Sequence, residues 1–184
     1  MRTDAATNQR QLLDSAAQLL SEQGPQVSLR TIAKHAGVGV ATLYRHFPTR
    51  ESLEEALVLN IMTQVTDAAR WFRGGPATPK RWRELAEHLG GLRIGALADH
   101  FADEVRRLAE SSTTQERRTQ ALQEVESALA HARAAGLIRD DVPAVRFAMG
   151  IAVISRPLPA QAADTVPDQT EWLMETYLAG LAPH

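Results

Sequence analysis

Residues 28–53 read SLRTIAKHAGVGVATLYRHFPTRESL. The stretch spells helix, tight glycine turn, short helix. Ser28 can cap a helix over residues 29–36, whose inward side chains are Leu29, Ile32, Ala33 and Ala36. Gly37 suits a left-handed turn position, because it has no Cβ to clash. A second, short helix follows over residues 40–46. Phe47-Pro48 stops it, since a residue preceding proline disfavours helical backbone angles. Thr49 then caps a further helix with Glu51 in its first turn. Two helices across a tight turn make a helix-turn-helix, in which the second helix enters the DNA major groove and the first braces it.

The residue types fit that geometry. Ala33, Ala36 and Gly37 are small enough for the helices to approach closely, and Ile32, Val38 and Leu43 are the apolar posts between them. That leaves Val40, Ala41, Thr42, Tyr44, Arg45 and His46 for the outward face of the short helix. Thr42 and Tyr44 can donate to phosphate oxygens. Val40 and Ala41 suit contact with a thymine methyl group. Arg30, with Thr31 beside it, opens the bracing helix and can reach a base edge or a phosphate. Arg50, at the start of the fourth helix, is placed for a phosphate clamp.

Outward from this stretch the chain reads helical almost throughout, and it reads as all-α with about nine helices. A first helix over residues 5–23 carries Leu12, Ala16, Leu19 and Leu20 on one face and ends at Gly24-Pro25. The fourth helix has the periodicity Leu53, Leu57, Ile61, Val65 and runs to Gly74-Gly75-Pro76. Further helices are expected over 79–97, 98–111, 114–135, 143–155 and 169–181, with a loop from Arg156 to Asp168. A helix-turn-helix domain over 1–48 and a helical regulatory and dimerisation domain over 49–184 are the expected division.

The bulk properties set limits. Of 184 residues 44% are hydrophobic and 23% charged, an ordinary balance for a folded protein. No cysteine is present, which excludes disulfides and thiolate chemistry. No run is long enough to span a bilayer and the first ten residues have no apolar stretch, so a cytoplasmic location is expected. Net charge is only −2. Its distribution is uneven: residues 1–50 hold six Lys and Arg against three acids. A basic head on an acidic body fits a DNA-binding module joined to a body that does not bind DNA.

The pattern Ile32-Ala33, Ala36-Gly37-Val38, Thr42-Leu43-Tyr44, His46-Phe47, Arg50, Leu53 resembles the TetR family of transcriptional regulators. The resemblance covers about residues 8–55. Arg50 stands where lysine is commoner in that family, which keeps the charge but replaces a point charge with a planar fork. The resemblance implies an all-α homodimer that binds a palindromic operator as a repressor and is released by a small-molecule effector, with no cofactor. A small ligand entering the body is expected to tilt the fourth helix through its C-terminal end. The resemblance puts an effector pocket in the region of Met62, Val65, Trp71, Phe72, Trp82, Leu85, Leu89, Phe101 and Leu122, all of which also suit a plain core. It pairs the last two long helices with those of a second subunit, through Val145, Met149, Ala152, Trp172, Leu173 and Tyr177. Apolar residues on more than one face of these helices fit a partner helix, and equally a fully buried core helix.

Two other classes of function compete. Asp99, His100, Asp103 and Glu104, or Glu84 with His88, have the spacing of metal ligands on one helix face, as exposed acidic helices often do. A phosphate-binding glycine loop, a zinc-protease signature and a nucleophile elbow are all missing, so an enzyme is not expected. A helical interaction module without specific DNA binding is the other alternative. Retention of Arg30, Tyr44, His46 and Arg50 together counts against it.

Overall fold

The computed structural model describes residues 2–100 and 112–183, and within them every regular element is a helix. The helices are α1 (Arg2–Gln23), α2 (Leu29–His35), α3 (Val40–His46), α4 (Arg50–Arg73), α5 (Pro79–Gly91), α6 (Ile94–His100), α7 (Ser112–Ala134), α8 (Ala144–Ile154), α9 (Ala160–Thr165) and α10 (Gln169–Leu181). The expected helix over 98–111 falls almost wholly outside the described residues, as do Phe101, Asp103 and Glu104.

The boundaries follow local chemistry. Gly24 closes α1 with φ +82°, and its amide bonds to the Leu20 carbonyl. The Ser28 hydroxyl accepts from the Thr31 amide at 3.1 Å. Thr49 and Ser52 form a reciprocal capping box at the start of α4. Gly37 and Gly136 take φ of +68° and +69°, as turns after helices require.

Two hydrophobic cores share one helix. The first gathers Leu12, Leu20, Ile32, Leu43, Leu53 and Leu57, each at most 1% exposed, and is completed by Leu97 from α6. The second lies around Phe72, Trp82, Leu85, Leu129, Phe147 and Ile151. Burying each such side chain contributes roughly 1.5–3 kcal/mol. The body core is bound by stacked rings: Phe72 tilts on Trp82 at 5.7 Å, Trp82 stacks on Phe147 at 5.1 Å, and Phe147 stacks on Tyr177 at 6.3 Å. Helix α4 enters both cores, with Leu53 and Leu57 in the first and Ala68, Ala69 and Phe72 in the second. Its longest neighbour is α7, to which Arg70 and Arg73 are tied through Glu124 at 2.9 and 3.1 Å.

Two expectations are corrected. The helix expected over 79–97 is two helices, α5 and α6, because Gly90-Gly91 weakens the helix end and Arg93 turns the chain. Arg93 has φ +55°, and among the described residues it is the only non-glycine with positive φ. Its guanidinium donates to Ser21 Oγ and Glu22 Oε1, both at 2.9 Å, and joins the start of α6 to the end of α1. The Arg93 hydrogen bond holds the Glu22 carboxyl below the usual range. The loop expected from Arg156 to Asp168 contains α9. The Pro159 carbonyl accepts from the Ala162 and Ala163 amides, and the alanine-rich run behind it favours a helical turn.

Helix α8 begins at Pro143 without a side-chain cap of its own. Glu126 of α7 supplies the acceptor, taking the Ala144 amide at 2.9 Å and Arg133 Nη1 at 2.8 Å. Arg133 first, and the Ala144 amide after it, hold the Glu126 carboxyl below the ordinary glutamate range. A carboxyl lowered on folding stabilises the fold above its unfolded value and loses that contribution as pH falls through the folded one. Glu126→Gln therefore lowers stability by roughly 1 kcal/mol at pH 7, a figure kept small because half the side chain is exposed to screening solvent. The deficit shrinks below about pH 4.3, and urea unfolding at pH 7 and pH 3 measures it. At the α6–α8 crossing, a Cβ on Gly95 would lie 1.9 Å from the Ala152 carbonyl oxygen. Gly95→Ala forces the helices apart and costs about 1–3 kcal/mol, read as a melting temperature several degrees lower.

Candidate nucleic-acid interface and apolar cleft

Helix α3 is fixed from behind. Leu43 is fully buried and Phe47 is 2% exposed, so the opposite face of this seven-residue helix is turned out. Ala41, Tyr44 and Arg45 are exposed on it, while Val40, Thr42 and His46 are half-buried at its edges. Tyr44, 49% exposed, is among the large hydrophobic residues left at the surface. Gly39 caps α3 without a side-chain hydrogen bond. Arg30 and Thr31 are exposed at the start of α2, where the Thr31 hydroxyl shares a 2.8 Å hydrogen bond with Ser28. Lys34, in the last turn of α2, is exposed as well; sequence reasoning noted its charge but not its place.

Arg50 differs from the expectation of a free clamp. Its Nε donates to Glu54 Oε1 and its Nη1 to the Val27 carbonyl, both at 2.7 Å, so the side chain pins the start of α4 to the turn before α2. The planar fork that distinguishes arginine from lysine at this position makes both bonds at once.

The residues expected around an effector pocket divide. Met62, Val65 and Leu122 line a cleft of about 270 Å³ bounded by α4, α6, α7 and α8. Phe72, Trp82, Leu85 and Leu89 do not; they are consumed by the body core, where the ring stack leaves no space between them. Trp71 lies on the outer surface under the Arg81 guanidinium, 3.9 Å from its ring centre. Sequence reasoning missed Ile94, Leu97, Arg118 and Ala148 as lining residues. The stripe Leu57, Ile61, Val65 was the available signal, because these three share the face of α4 that forms the floor.

Val145, Met149 and Val153 of α8 are 53–58% exposed at successive turns, the first two of them also lining the cleft, and Trp172 of α10 is 57% exposed. Leu173 and Tyr177 are half-buried. Tyr177 packs over Gly150, stacks on Phe147 and donates to its carbonyl at 3.3 Å, and burial pushes its hydroxyl pKa up. Ala152 departs from the expected interface: it is 6% exposed and turned into the body beside Gly95. Glu84 is paired with Lys80, and among the described residues no three side chains of ligating type converge. Among them, too, no helix is long and apolar enough to cross a membrane.

A glycine-turned pair of short helices, buried behind and polar in front, defines a helix-turn-helix DNA-binding protein. Residues 12–57 match the bacterial regulatory proteins of the tetR family, and residues 80–183 match the C-terminal domain of SbtR-like transcriptional regulators. The chain belongs to the TetR family of transcriptional regulators. It is 41% identical over 54 residues to an HTH-type transcriptional regulator of Staphylococcus aureus, a match spanning 29% of each chain. A TetR transcriptional regulator of Streptomyces coelicolor has a similar structure, with TM-score 0.70, 27% identity, and coverage of 95% of this chain and 98% of that one. The TetR-like regulator LfrR of Mycobacterium smegmatis, solved with proflavine, shares the fold at TM-score 0.60 and 21% identity, over 97% and 98% of the two chains.

Arg50 and Tyr44 separate by their contacts. Arg50→Ala removes two intramolecular bonds and lowers stability by about 1.5 kcal/mol in the absence of DNA. Tyr44→Ala changes stability by less than about 0.5 kcal/mol. Thermal melts of both variants without nucleic acid test this.

Proposed function

We propose that the chain is a repressor that binds a palindromic operator as a homodimer and is released when a small molecule enters the cleft. The observation that carries this reading is the outward face of α3, with Ala41, Tyr44 and Arg45 exposed over a buried Leu43. In it, Arg30, Thr31, Val40, Ala41, Thr42, Tyr44, Arg45, His46 and Arg50 form the DNA contact surface. The head is residues 1–48 and the regulatory and dimerising body residues 49–184, working in the cytoplasm.

Dimerisation is supported by the apolar row Val145, Met149, Val153 with Trp172 nearby, which a single chain leaves in water. Release is supported by shared side chains. Leu57, Ile61 and Leu97 line the cleft and also belong to, or pack on, the core behind α3. A molecule in the cleft therefore touches the packing that positions the recognition helix. It must bind the DNA-incompetent arrangement more tightly to shift the equilibrium. That LfrR was solved with proflavine supports a small-molecule effector in this fold.

In the dimer the two α3 helices enter successive major grooves, about 34–36 Å apart. Sedimentation combined with gel-shift titration at two salt concentrations, on DNA from immediately upstream of the coding region, tests the reading. A dimer is expected whose affinity falls roughly a thousandfold between 50 and 200 mM salt. Tyr44→Ala weakens binding about tenfold on every sequence, whereas changes at Val40 or Ala41 alter which operator is preferred. A monomer, or a Tyr44→Ala variant that binds as well as the parent, overturns it.

A further inference from the structure

The cleft wall is apolar except at one point. Leu57, Ile61, Met62 and Val65 of α4 face Val145 and Met149 of α8, and among the described residues the only ionisable side chain in the lining is Arg118 of α7. Arg118 is exposed at the edge of the cleft. Three other arginines of α4 and α7 have carboxylates: Arg70 and Arg73 share Glu124, and Arg133 holds Glu126. No carboxylate among the described residues pairs with Arg118.

An apolar trough with one unpaired guanidinium at its edge matches a molecule with an apolar tail and an anionic end. The guanidinium offers a planar fork of donors, a geometry that a carboxylate satisfies with two parallel bonds. Size sets the tail. At about 30 Å³ of liquid volume per water-sized group, the cleft takes roughly nine such groups. A neutral apolar ligand would use the trough but leave Arg118 idle, and a cationic one would be repelled by its charge.

We infer that the cleft binds a small amphipathic carboxylate, its tail of about eight carbons lying between α4 and α8 and its carboxylate on Arg118. The inference rests on the reading of the cleft as the effector site and names the ligand class for it.

Calorimetric titration of the intact chain with octanoate, 1-octanol and octylammonium tests both levels. Octanoate is expected to bind about tenfold more tightly than 1-octanol, and octylammonium more weakly than either. Arg118→Gln brings octanoate down to the level of 1-octanol and leaves 1-octanol unchanged, while Arg118→Lys retains part of the difference. Met62→Trp fills the trough and removes binding of octanoate and 1-octanol together, with helical content checked by circular dichroism. Should octanoate bind no better than 1-octanol, or Arg118→Gln leave octanoate unaffected, the anionic assignment is overturned and the cleft stands as a site for neutral ligands. Should no probe bind, or Met62→Trp leave binding intact, the inference falls along with the cleft as effector site. If octanoate binds as expected but operator affinity does not change, the ligand class stands and release by that ligand fails.

Discussion

One helix belongs to two cores. The first two turns of α4 bury Leu53 and Leu57 against the helix-turn-helix, and its last two bury Ala68, Ala69 and Phe72 against α5 and α7. An α-helix is stiff over this length, so neither core can shift along or around α4 without disturbing the other. The capping box at Thr49 and Ser52 and the Arg50 bonds to Glu54 and Val27 fix its first turn. Arg70 and Arg73 fix its last through Glu124. Between those ends the helix is half-buried and faces the cleft. The segment least restrained by core packing is thus the one next to the apolar cleft.

Most of the head was legible in the sequence because its determinants are local. Ser28 and Thr49 cap the helices that follow them, Gly24 and Gly37 turn where a left-handed residue is required, and Leu43 is the inward post of α3. Each of these rests on a few neighbouring residues and on backbone rules that act within one or two turns. What failed depended on distant partners. Nothing near Arg93 in the chain announces a positive φ, and the partners of its side chain, Ser21 and Glu22, lie more than seventy residues earlier. The α5–α6 break was misread for that reason.

The body shows the same division. Apolar periodicity identified α7, α8 and α10, but periodicity does not say which apolar face meets a core and which lines an opening. Phe72, Trp82, Leu85 and Leu89 were drawn toward a pocket by their size, whereas the ring stack uses that size to fill the interior. Ala152 was assigned to a surface, although its neighbour across the helix crossing is a glycine that admits no side chain at all. Arg118 carried no signal, since an arginine on an amphipathic helix is ordinary and only the surrounding apolar wall gives it meaning.

Leu97 completes a core whose other described members are all supplied by residues 12–57. During synthesis the chain emerges N-terminus first, at about 5–20 residues per second. Leu57, the last of those members, therefore leaves the ribosome roughly two to eight seconds before the side chain that seals the core. In that interval Leu57 and its neighbours present an open apolar edge to the cell, and a chaperone or another nascent chain can occupy it. The order of elements that ties the head to the body thus also sets a window of vulnerability in its biogenesis, one that a self-contained three-helix head would not have.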